Sequence, residues 1–309
     1  MYVGFGWKAV IVTLSELGKH ASMNEGQMAA LRRAFARKVL ASVEGSNARL
    51  ENAFAQVQRE RFLGPGPWQV IGASGYEPTP DADPSHLYAD VLVGIIPERR
   101  LNNGMPSYHA SLMAHAAVQT GEHIVHIGAG VGYYTAILAE LAGREGQVTA
   151  IEFDGDLAKI AAENLSDRSN VTILQGDGFS MPFAPANVIY VNAGTTGPAS
   201  AWLDNLKDGG RLLLPLTVRK FTQSDDQRPL SRHGAVFLIT RKEEAFEAKW
   251  ISAVGVFPCE GGRDDEAERV IDIALQTGGF REVRRLYRNG EVPADQCWLR
   301  LPTWSLAYD

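Results

Sequence analysis

The sequence is poor in cysteine, in excess positive charge and in long apolar runs, and each shortage excludes a class of protein. Only two cysteines, Cys259 and Cys297, occur among 309 residues, which argues against a disulfide framework and favours a reducing cytoplasmic compartment. The formal net charge of −6 provides no basic face for nucleic acid. Residues 9–14 are apolar but far too short to cross a membrane. We therefore expect a cytoplasmic protein without a nucleic-acid or membrane partner.

The most informative stretch is an apolar run followed by closely spaced glycines. Residues 124–127 have the composition of a buried strand, Gly128, Gly130 and Gly132 follow in GxGxG spacing, and helical apolar spacing begins at Tyr134. A strand, a tight turn and a helix start can bind a nucleotide, because glycines let the backbone approach a ligand and helix N-termini offer unpaired N–H groups. A plain strand-to-helix turn is the alternative.

Polar residues follow three further apolar segments. Glu152 closes a strand predicted at 148–153 and can accept hydrogen bonds from both ribose hydroxyls of an adenosine. Asp177, between two glycines, follows a strand at 171–174 and can accept from an adenine amino group, while Asn192 follows a fourth strand. Ligands of such sheets lie outside the carboxyl ends of the strands, so we expect these side chains to meet there.

The glycine spacing favours S-adenosylmethionine over NAD. The dinucleotide fingerprint has its third glycine one position later, where this chain has Tyr133. A large side chain there would leave less room for a diphosphate and would suit a smaller ligand. With the carboxylates after the second and third strands, the pattern looks like a class I methyltransferase. A nicotinamide-dependent oxidoreductase is the alternative.

The remaining segments complete an α/β prediction, a class I methyltransferase Rossmann-like sheet with helices on both faces. Helices are predicted after Met23 and from about 50 to 57, and residues 64–84 are rich in glycine and proline, as in a linker or a lid over the cofactor. Residues 206–215 predict a helix closed by glycines and then a buried strand. The predicted division is 1–95, an N-terminal helical segment with linker or lid; 96–258, the core; and 259–309, a C-terminal α+β extension acting as a cap or dimer surface.

A polar turn ahead of a helix occupies residues 101–110. Asn102-Asn103-Gly104 favours left-handed backbone, and Pro106-Ser107 suits a helix start beside the cofactor crevice. A carboxylate methyl acceptor is already ionised at pH 7, with a reference pKa of about 4, and needs no base. A hydroxyl or amine acceptor would need one, and His109 is then the best candidate; a structural histidine at the helix start is the alternative.

The sequence resembles the protein-L-isoaspartate O-methyltransferases over roughly residues 50–258. The motifs that carry the resemblance are Arg59-Glu60-Arg61-Phe62-Leu63, Tyr88-Ala89-Asp90, the blocks 125–135 and 206–215, Gly176-Asp177-Gly178 and Val254-Gly255-Val256-Phe257-Pro258. The resemblance implies that Gly128, Gly130, Glu152 and Asp177 hold S-adenosylmethionine. It also implies S-adenosyl-L-homocysteine as product and a carboxylate of a peptide, or of a small molecule, as acceptor.

Two positions depart from that family's pattern. Its loop before the first strand reads Ile-Ser-x-Pro, with the serine hydroxyl lining the site of transfer, and Gly104 stands at the serine position while Pro106 matches the proline. Ser107 and His109, one turn away, are the remaining polar candidates. The family's acidic residue in the first strand is His126 here. A non-catalytic protein that binds S-adenosylmethionine is therefore a further alternative.

The predicted site has three parts and no metal. Ser107 and His109 are the predicted catalytic residues, and Asn103, Gly104 and Pro106 are predicted to contact substrate. The predicted cofactor residues are His126, Gly128, Ala129, Gly130, Gly132, Tyr133, Glu152, Phe153, Asp177, Gly178 and Asn192. The other histidines show no metal spacing. An oligomer is predicted to form, if at all, through the C-terminal extension.

Overall fold

The structure is a computed structural model that describes residues 23–45, 47–72, 74–99, 101–219, 233–288 and 292–309. The apolar stretch at 9–14 lies outside the described residues. Within the described ranges, the helices are all too short or too polar to pass through a bilayer.

The helices and strands follow the predicted order with a few differences. The helices are α1 (Glu25–Leu40), α2 (Ala48–Gln56), α3 (Pro106–Ala116), α4 (Tyr133–Ala142), α5 (Gly155–Asn164), α6 (Ser200–Asp204) and α7 (Asp265–Thr277). The strands are β1 (Gln69–Gly72), β2 (Gly75–Pro78), β3 (Gly94–Ile96), β4 (Leu101–Asn102), β5 (His123–Ile127), β6 (Gln147–Glu152), β7 (Val171–Gln175), β8 (Ala186–Val191), β9 (Leu206–Val218), β10 (His233–Lys242), β11 (Ala245–Ala253), β12 (Arg285–Arg288), β13 (Cys297–Arg300) and β14 (Trp304–Ala307).

A ten-stranded sheet runs through most of the described chain, in the order β13-β14-β12-β11-β10-β9-β8-β5-β6-β7. The strands from β5 to β9 pair in parallel, and the pairs from β9 outward to β13 are antiparallel. The chain leaves β5 in one direction through β6 and β7 and returns on its other side as β8. This reversal creates a crevice at the carboxyl ends of β5 and β8, where open α/β sheets bind ligands.

Two apolar cores cover the two faces of the sheet, as predicted. One contains buried residues of α1, α2, α3 and α4, including Phe54 and Ile137. The other contains residues of α6 and α7 with Trp202 and Ile271. Side chains such as Ile124, Val125 and Ile189 are fully buried because parallel central strands are covered on both faces. The α/β prediction with helices on both faces is confirmed.

The prediction for residues 206–215 was wrong in its first half. Leu206 to Val218 form one continuous strand, β9, and the preceding helix α6 ends at Asp204. Leu206 pairs with Ala186 but Arg211 pairs with Val188, so the residues between them form a bulge. The glycines at 209 and 210 therefore serve that bulge and do not close a helix.

Residues 88–93 form no described strand, apart from a single bridge at Val93. The guanidinium of Arg59 donates to the carbonyl oxygens of Leu87, Ala89 and Val91 at 2.6, 3.0 and 2.7 Å. Carbonyls that bind a buried side chain in this way do not pair with a neighbouring strand. The segment is consequently a series of bends around one arginine.

The C-terminal segment joins the sheet instead of standing beside it. β12 pairs with β11, and β14 lies between β12 and β13, with Leu306 fully buried in the second core. The extension thus contributes three strands, β12, β13 and β14, to the sheet. The division at residue 258 and the oligomer surface stay predictions.

Candidate active site

A cavity of about 1730 Å³ opens at the carboxyl ends of β5, β6, β7 and β8. Typical small-molecule sites have volumes of roughly 300–1,000 Å³, so this cavity has room for a cofactor and an acceptor together. Residues 64–72 and 74–84, where a lid was predicted, do not line it. The covering segments come instead from residues 92–105 and 253–260.

The predicted cofactor residues with side chains or backbone on the cavity wall are Gly128, Gly130, Glu152, Phe153, Asp177, Gly178 and Asn192. Gly128 has a φ of +78°, and a Cβ atom there would lie 3.0 Å from the carbonyl oxygen of Asn192. Only glycine fits this close approach between β5 and β8 without strain. The strand, glycine turn and helix start predicted for this stretch are confirmed.

Glu152 is a buried acidic group on the cavity wall that two backbone N–H groups hold in place. Its Oε2 accepts a hydrogen bond from the Gly130 N–H at 2.7 Å, and its Oε1 accepts from the Asp154 N–H at 3.0 Å. Burial raises the pKa of this carboxyl, and the bonds from these two N–H groups oppose that rise. Each oxygen keeps further lone-pair capacity on the cavity side, since a carboxylate offers about four acceptor sites. The arrangement can hold two hydroxyls of a bound ligand.

Asp177 lies at the end of β7 beneath a segment that was not predicted to reach it. Its Oδ1 accepts from the Phe179 N–H at 3.0 Å. Gly261 packs so closely that a Cβ atom there would overlap the Asp177 carboxylate. The chain reaches this point because the Phe257 carbonyl and the Cys259 N–H hydrogen-bond to the backbone of Gly194. The first residues of the C-terminal extension therefore help to form the cofactor side of the cavity.

His109 and Gly104 lie together on the wall of the cavity, where the acceptor was predicted to bind. The His109 ring is 2% exposed and stacks on Tyr134, with centroids 3.6 Å apart and planes inclined by 17°. Its Nδ1 lies 2.8 Å from the Tyr190 hydroxyl oxygen. Burial, with smaller contributions from His126 and Arg59, lowers the pKa of His109 to about 3, so the ring is neutral at pH 7.

Several predicted site residues lie away from the cavity wall. His126 is fully buried in β5, and its Nδ1 lies 2.9 Å from the Thr135 hydroxyl. Tyr133 begins α4 but turns its ring into the core against Phe62, so the steric argument drawn from it against a diphosphate has no support. Both faces of β5 and α4 are covered, so sequence alternation does not indicate which side faces the ligand.

The remaining predicted residues have backbone or packing roles in the described chain. Asn103 is buried, and its Oδ1 accepts from Arg59 and from the Val93 N–H. Pro106 begins α3, and the Ser107 N–H donates to Asp90 at 2.9 Å. Asn103, Pro106, Ser107, Ala129 and Gly132 are absent from the cavity wall as far as the described residues define it.

Three residues of the site were missed because their partners are distant in sequence. Tyr190 reaches His109 from β8. Arg99 and Asp154, which both line the cavity, form an ion pair at 2.6 Å. The only local signal was for Asp154, which caps α5 by accepting from the N–H groups of Asp156 and Leu157. No group of three or more His, Cys, Asp or Glu side chains within the described ranges is arranged to hold a metal ion.

Comparisons with known proteins agree on one family. The model of the family described as "Protein-L-isoaspartate(D-aspartate) O-methyltransferase (PCMT)" matches residues 83–245, more than half of the chain. A protein-L-isoaspartate O-methyltransferase of Thermotoga maritima is 26% identical over 223 residues, which are 68% of this chain and 62% of that protein. Protein-L-isoaspartate O-methyltransferase 1 of Archaeoglobus fulgidus is 38% identical over 103 residues, 32% of this chain and 48% of that one. The chain thus spans between 48% and 62% of the lengths of these two relatives.

Solved structures show the same fold. A structure titled "protein-L-isoaspartate O-methyltransferase" aligns with a TM-score of 0.61 and 19% identity, over 90% of this chain and 88% of that one. A putative enzyme of the same name from Plasmodium falciparum, solved in complex with S-adenosyl-L-homocysteine, aligns with a TM-score of 0.56 and 16% identity, over 74% of this chain and 98% of that one. The predicted Rossmann-like core is confirmed by these alignments.

Proposed function

The chain belongs to the protein-L-isoaspartate(D-aspartate) O-methyltransferase family, and on that premise we propose that it binds S-adenosylmethionine and methylates a carboxylate. The observation that carries the proposal is the meeting of Glu152, Asp177 and the Gly128 turn at one edge of the sheet. The carboxylate of the acceptor would belong to an isoaspartyl residue of a peptide or to a small molecule.

Each part of this edge suits one part of the cofactor. Glu152 is placed to accept from the ribose hydroxyls, and Asp177 from the adenine amino group. The Phe153 ring, half exposed and on the cavity wall, offers an apolar surface for the adenine face. The close backbone approach at Gly128 leaves a cradle that a side chain would fill.

When bound, S-adenosylmethionine supplies a methyl carbon that an acceptor oxygen attacks while the carbon–sulfur electron pair stays on sulfur. A carboxylate acceptor loses no proton in that displacement, so the protein has to position it and exclude water. Covering segments 92–105 and 253–260 are suited to exclude water. His109, neutral and on the cavity wall beside Gly104, is a polar side chain that can orient the acceptor.

Calorimetry with S-adenosyl-L-homocysteine and with NAD tests the cofactor. We expect the first to bind and the second to bind far more weakly. A radiolabelled methyl assay on an isoaspartyl peptide, with base-labile release of the label, then tests the reaction, and the same peptide with ordinary aspartate is the control. Failure of S-adenosyl-L-homocysteine to bind at millimolar concentration would overturn the proposal.

Gly104 favours a second candidate, a protein that binds the cofactor without transferring its methyl group. The family's loop serine is absent at that position, and of the two hydroxyl side chains at 102–108, Tyr108 lines the described cavity and Ser107 does not. Binding of S-adenosyl-L-homocysteine without label transfer to either carboxylate peptides or free dicarboxylic acids would favour this candidate.

A further inference from the structure

His109 occupies the space that any side chain at position 104 would need. A Cβ atom built on Gly104 would overlap the His109 Nε2, and the φ of +74° at Gly104 is in the left-handed region. Both residues line the cavity on its acceptor side. The edge of the His109 imidazole therefore occupies the part of the cavity wall that a side chain at position 104 would otherwise occupy.

Two tyrosines fix the orientation of this imidazole. Tyr134 stacks against one face of the ring and donates its own hydroxyl hydrogen to the Gly104 carbonyl at 3.1 Å. Tyr190 contacts Nδ1 from β8. Because Tyr134 binds both the ring and the loop, Gly104 and the His109 Nε2 are held together.

The hydrogen-bond pattern around Tyr190 decides which nitrogen carries the proton. Tyr190 is fully buried, and within the described residues its hydroxyl forms no hydrogen bond other than the one to His109. If Nδ1–H were the donor, the phenolic hydrogen would be buried without an acceptor, which is unfavourable because a buried donor has lost its hydrogen bonds to water. If the hydroxyl donates to Nδ1, that cost disappears, and a neutral imidazole then carries its proton on Nε2.

We propose that Tyr190 holds His109 as an Nε2–H donor and that this N–H binds one oxygen of the acceptor carboxylate, leaving the other to attack. The inference rests on the proposed function and deepens it by assigning the acceptor class. An imidazole protonated on Nε2 has no lone pair facing the cavity, so it does not remove a proton from a hydroxyl or an amine. Tyr190 is a positioning residue, and His109 contacts the substrate.

Nitrogen-15 NMR of the histidine side chains tests the protonation state without any turnover. The His109 signals are assigned by comparison with His109→Gln, and we expect the Nε2–H form in the wild-type protein at pH 7. In Tyr190→Phe, where Nδ1 loses its partner, we expect a mixture of the two neutral forms. A wild-type signal showing Nδ1–H would overturn the proposal and make Nε2 a base suited to a hydroxyl acceptor.

Steady-state kinetics with the isoaspartyl peptide test the contact itself. His109→Phe keeps the stack on Tyr134 but removes the donor, so we expect KM for the peptide to rise roughly tenfold or more, as for loss of a hydrogen bond to a charged group. His109→Gln retains an amide N–H near the Nε2 position, and we expect KM to stay within about threefold of wild type. Equal KM values in His109→Phe and wild type would refute the contact.

Affinity for S-adenosyl-L-homocysteine separates this inference from the proposed function. We expect the Kd in both His109 variants and in Tyr190→Phe to stay within about twofold of wild type, which also verifies that they are folded. A wild-type protein that neither binds this ligand nor transfers a methyl group would count against the proposed function. Wild-type transfer that is unchanged by His109→Phe and Tyr190→Phe would count against the present inference alone.

Discussion

The proposed cofactor side of the cavity, around Glu152, and the proposed acceptor side, around His109, are built from different kinds of contact. On the cofactor side, main-chain N–H groups of Gly130 and Asp154 hold Glu152 directly. On the acceptor side, His109, Tyr134 and Tyr190 come from α3, α4 and β8 and hold one another through ring stacking and a side-chain hydrogen bond. Glu152 is thus held by the turns at the ends of β5 and β6, whereas His109 is held by the packing of side chains from three elements far apart in sequence.

Replacing Arg59 should destabilise the acceptor side more than the other substitutions do. Besides three carbonyls, its fully buried guanidinium binds the Asn103 side chain next to Gly104. Arg59→Met leaves these acceptors unpaired, and we expect the free energy of unfolding to fall by about 3 kcal/mol or more. Urea denaturation measures the change.

Arg61→Met is the matched control for that experiment. Arg61 and its partner Asp167 are both about half exposed, at 51% and 55%, so the loss should be under about 1 kcal/mol. If the two variants are destabilised equally, Arg59 does not organise the acceptor side as its contacts indicate.

Glu152→Gln should break the cofactor side while leaving the acceptor side intact. The side-chain NH2 group of glutamine would face one of the two backbone N–H groups, so that hydrogen bond would be lost. The ribose would also have one hydrogen-bond acceptor fewer. We expect the Kd for S-adenosyl-L-homocysteine to rise roughly 10- to 100-fold, as for loss of hydrogen bonds to a charged group. Calorimetry measures it, with the exposed Glu145→Gln as control. An unchanged Kd would contradict the assignment of Glu152.

Acid should destabilise the folded protein, because His109 and His126, which both contact Tyr190, stay neutral in it. Burial lowers the pKa of His109 and of His126 to about 3, whereas an unfolded histidine has a pKa of about 6.5. Between these values the unfolded chain binds more protons, so stability falls as pH falls, by roughly 1 kcal/mol per pH unit for each imidazole. Above about pH 7 the histidines are neutral in both the folded and the unfolded state, so none of this stability is lost.

Urea titrations of the wild-type protein at several pH values between 7 and 4.5 measure that slope. In His109→Gln one of the two titrating imidazoles is gone, and the slope attributed to histidine should fall by about half. An identical slope in the variant would mean that His109 is protonated in the folded protein.

The same division explains how much the sequence could predict. β5, the glycine turn, α4 and the ends of β6 and β7 follow from local patterns, and these were predicted with nearly their observed bounds. The contact between His109 and Tyr190 joins residues 81 positions apart and has no local signal. Gly261 likewise reaches Asp177 only because the chain turns back along the sheet edge.

Two errors have a common physical cause. The glycines at 209 and 210 were interpreted as a helix end, although glycine serves a bulge equally well. Tyr133 was expected at the ligand because it follows the glycine turn, yet α4 turns it into the core. In both cases a residue type permits several conformations, and packing by distant residues selects one.

The ion pair between Arg99 and Asp154 joins the two sides and should have the smallest effect. Arg99 follows β3 on the acceptor side, and Asp154 follows Glu152 on the cofactor side, where the guanidinium lowers the pKa of its carboxyl. Because the Arg99 side chain is 36% exposed, the pair is worth about 1 kcal/mol at most. In Arg99→Ala we expect S-adenosyl-L-homocysteine to dissociate about two- to fivefold faster, measured by stopped-flow displacement.

Asp154→Asn distinguishes that ion pair from helix capping. Asparagine still caps α5 but carries no charge, so it should accelerate dissociation as Arg99→Ala does, with little further change in the double variant. High salt should speed release from the wild-type protein and leave the variants nearly unaffected, since screening acts on the charges that they lack. Additive effects of the two substitutions would mean that Arg99 and Asp154 act on the ligand separately. The covering segments, and not this ion pair, would then connect the two sides of the cavity.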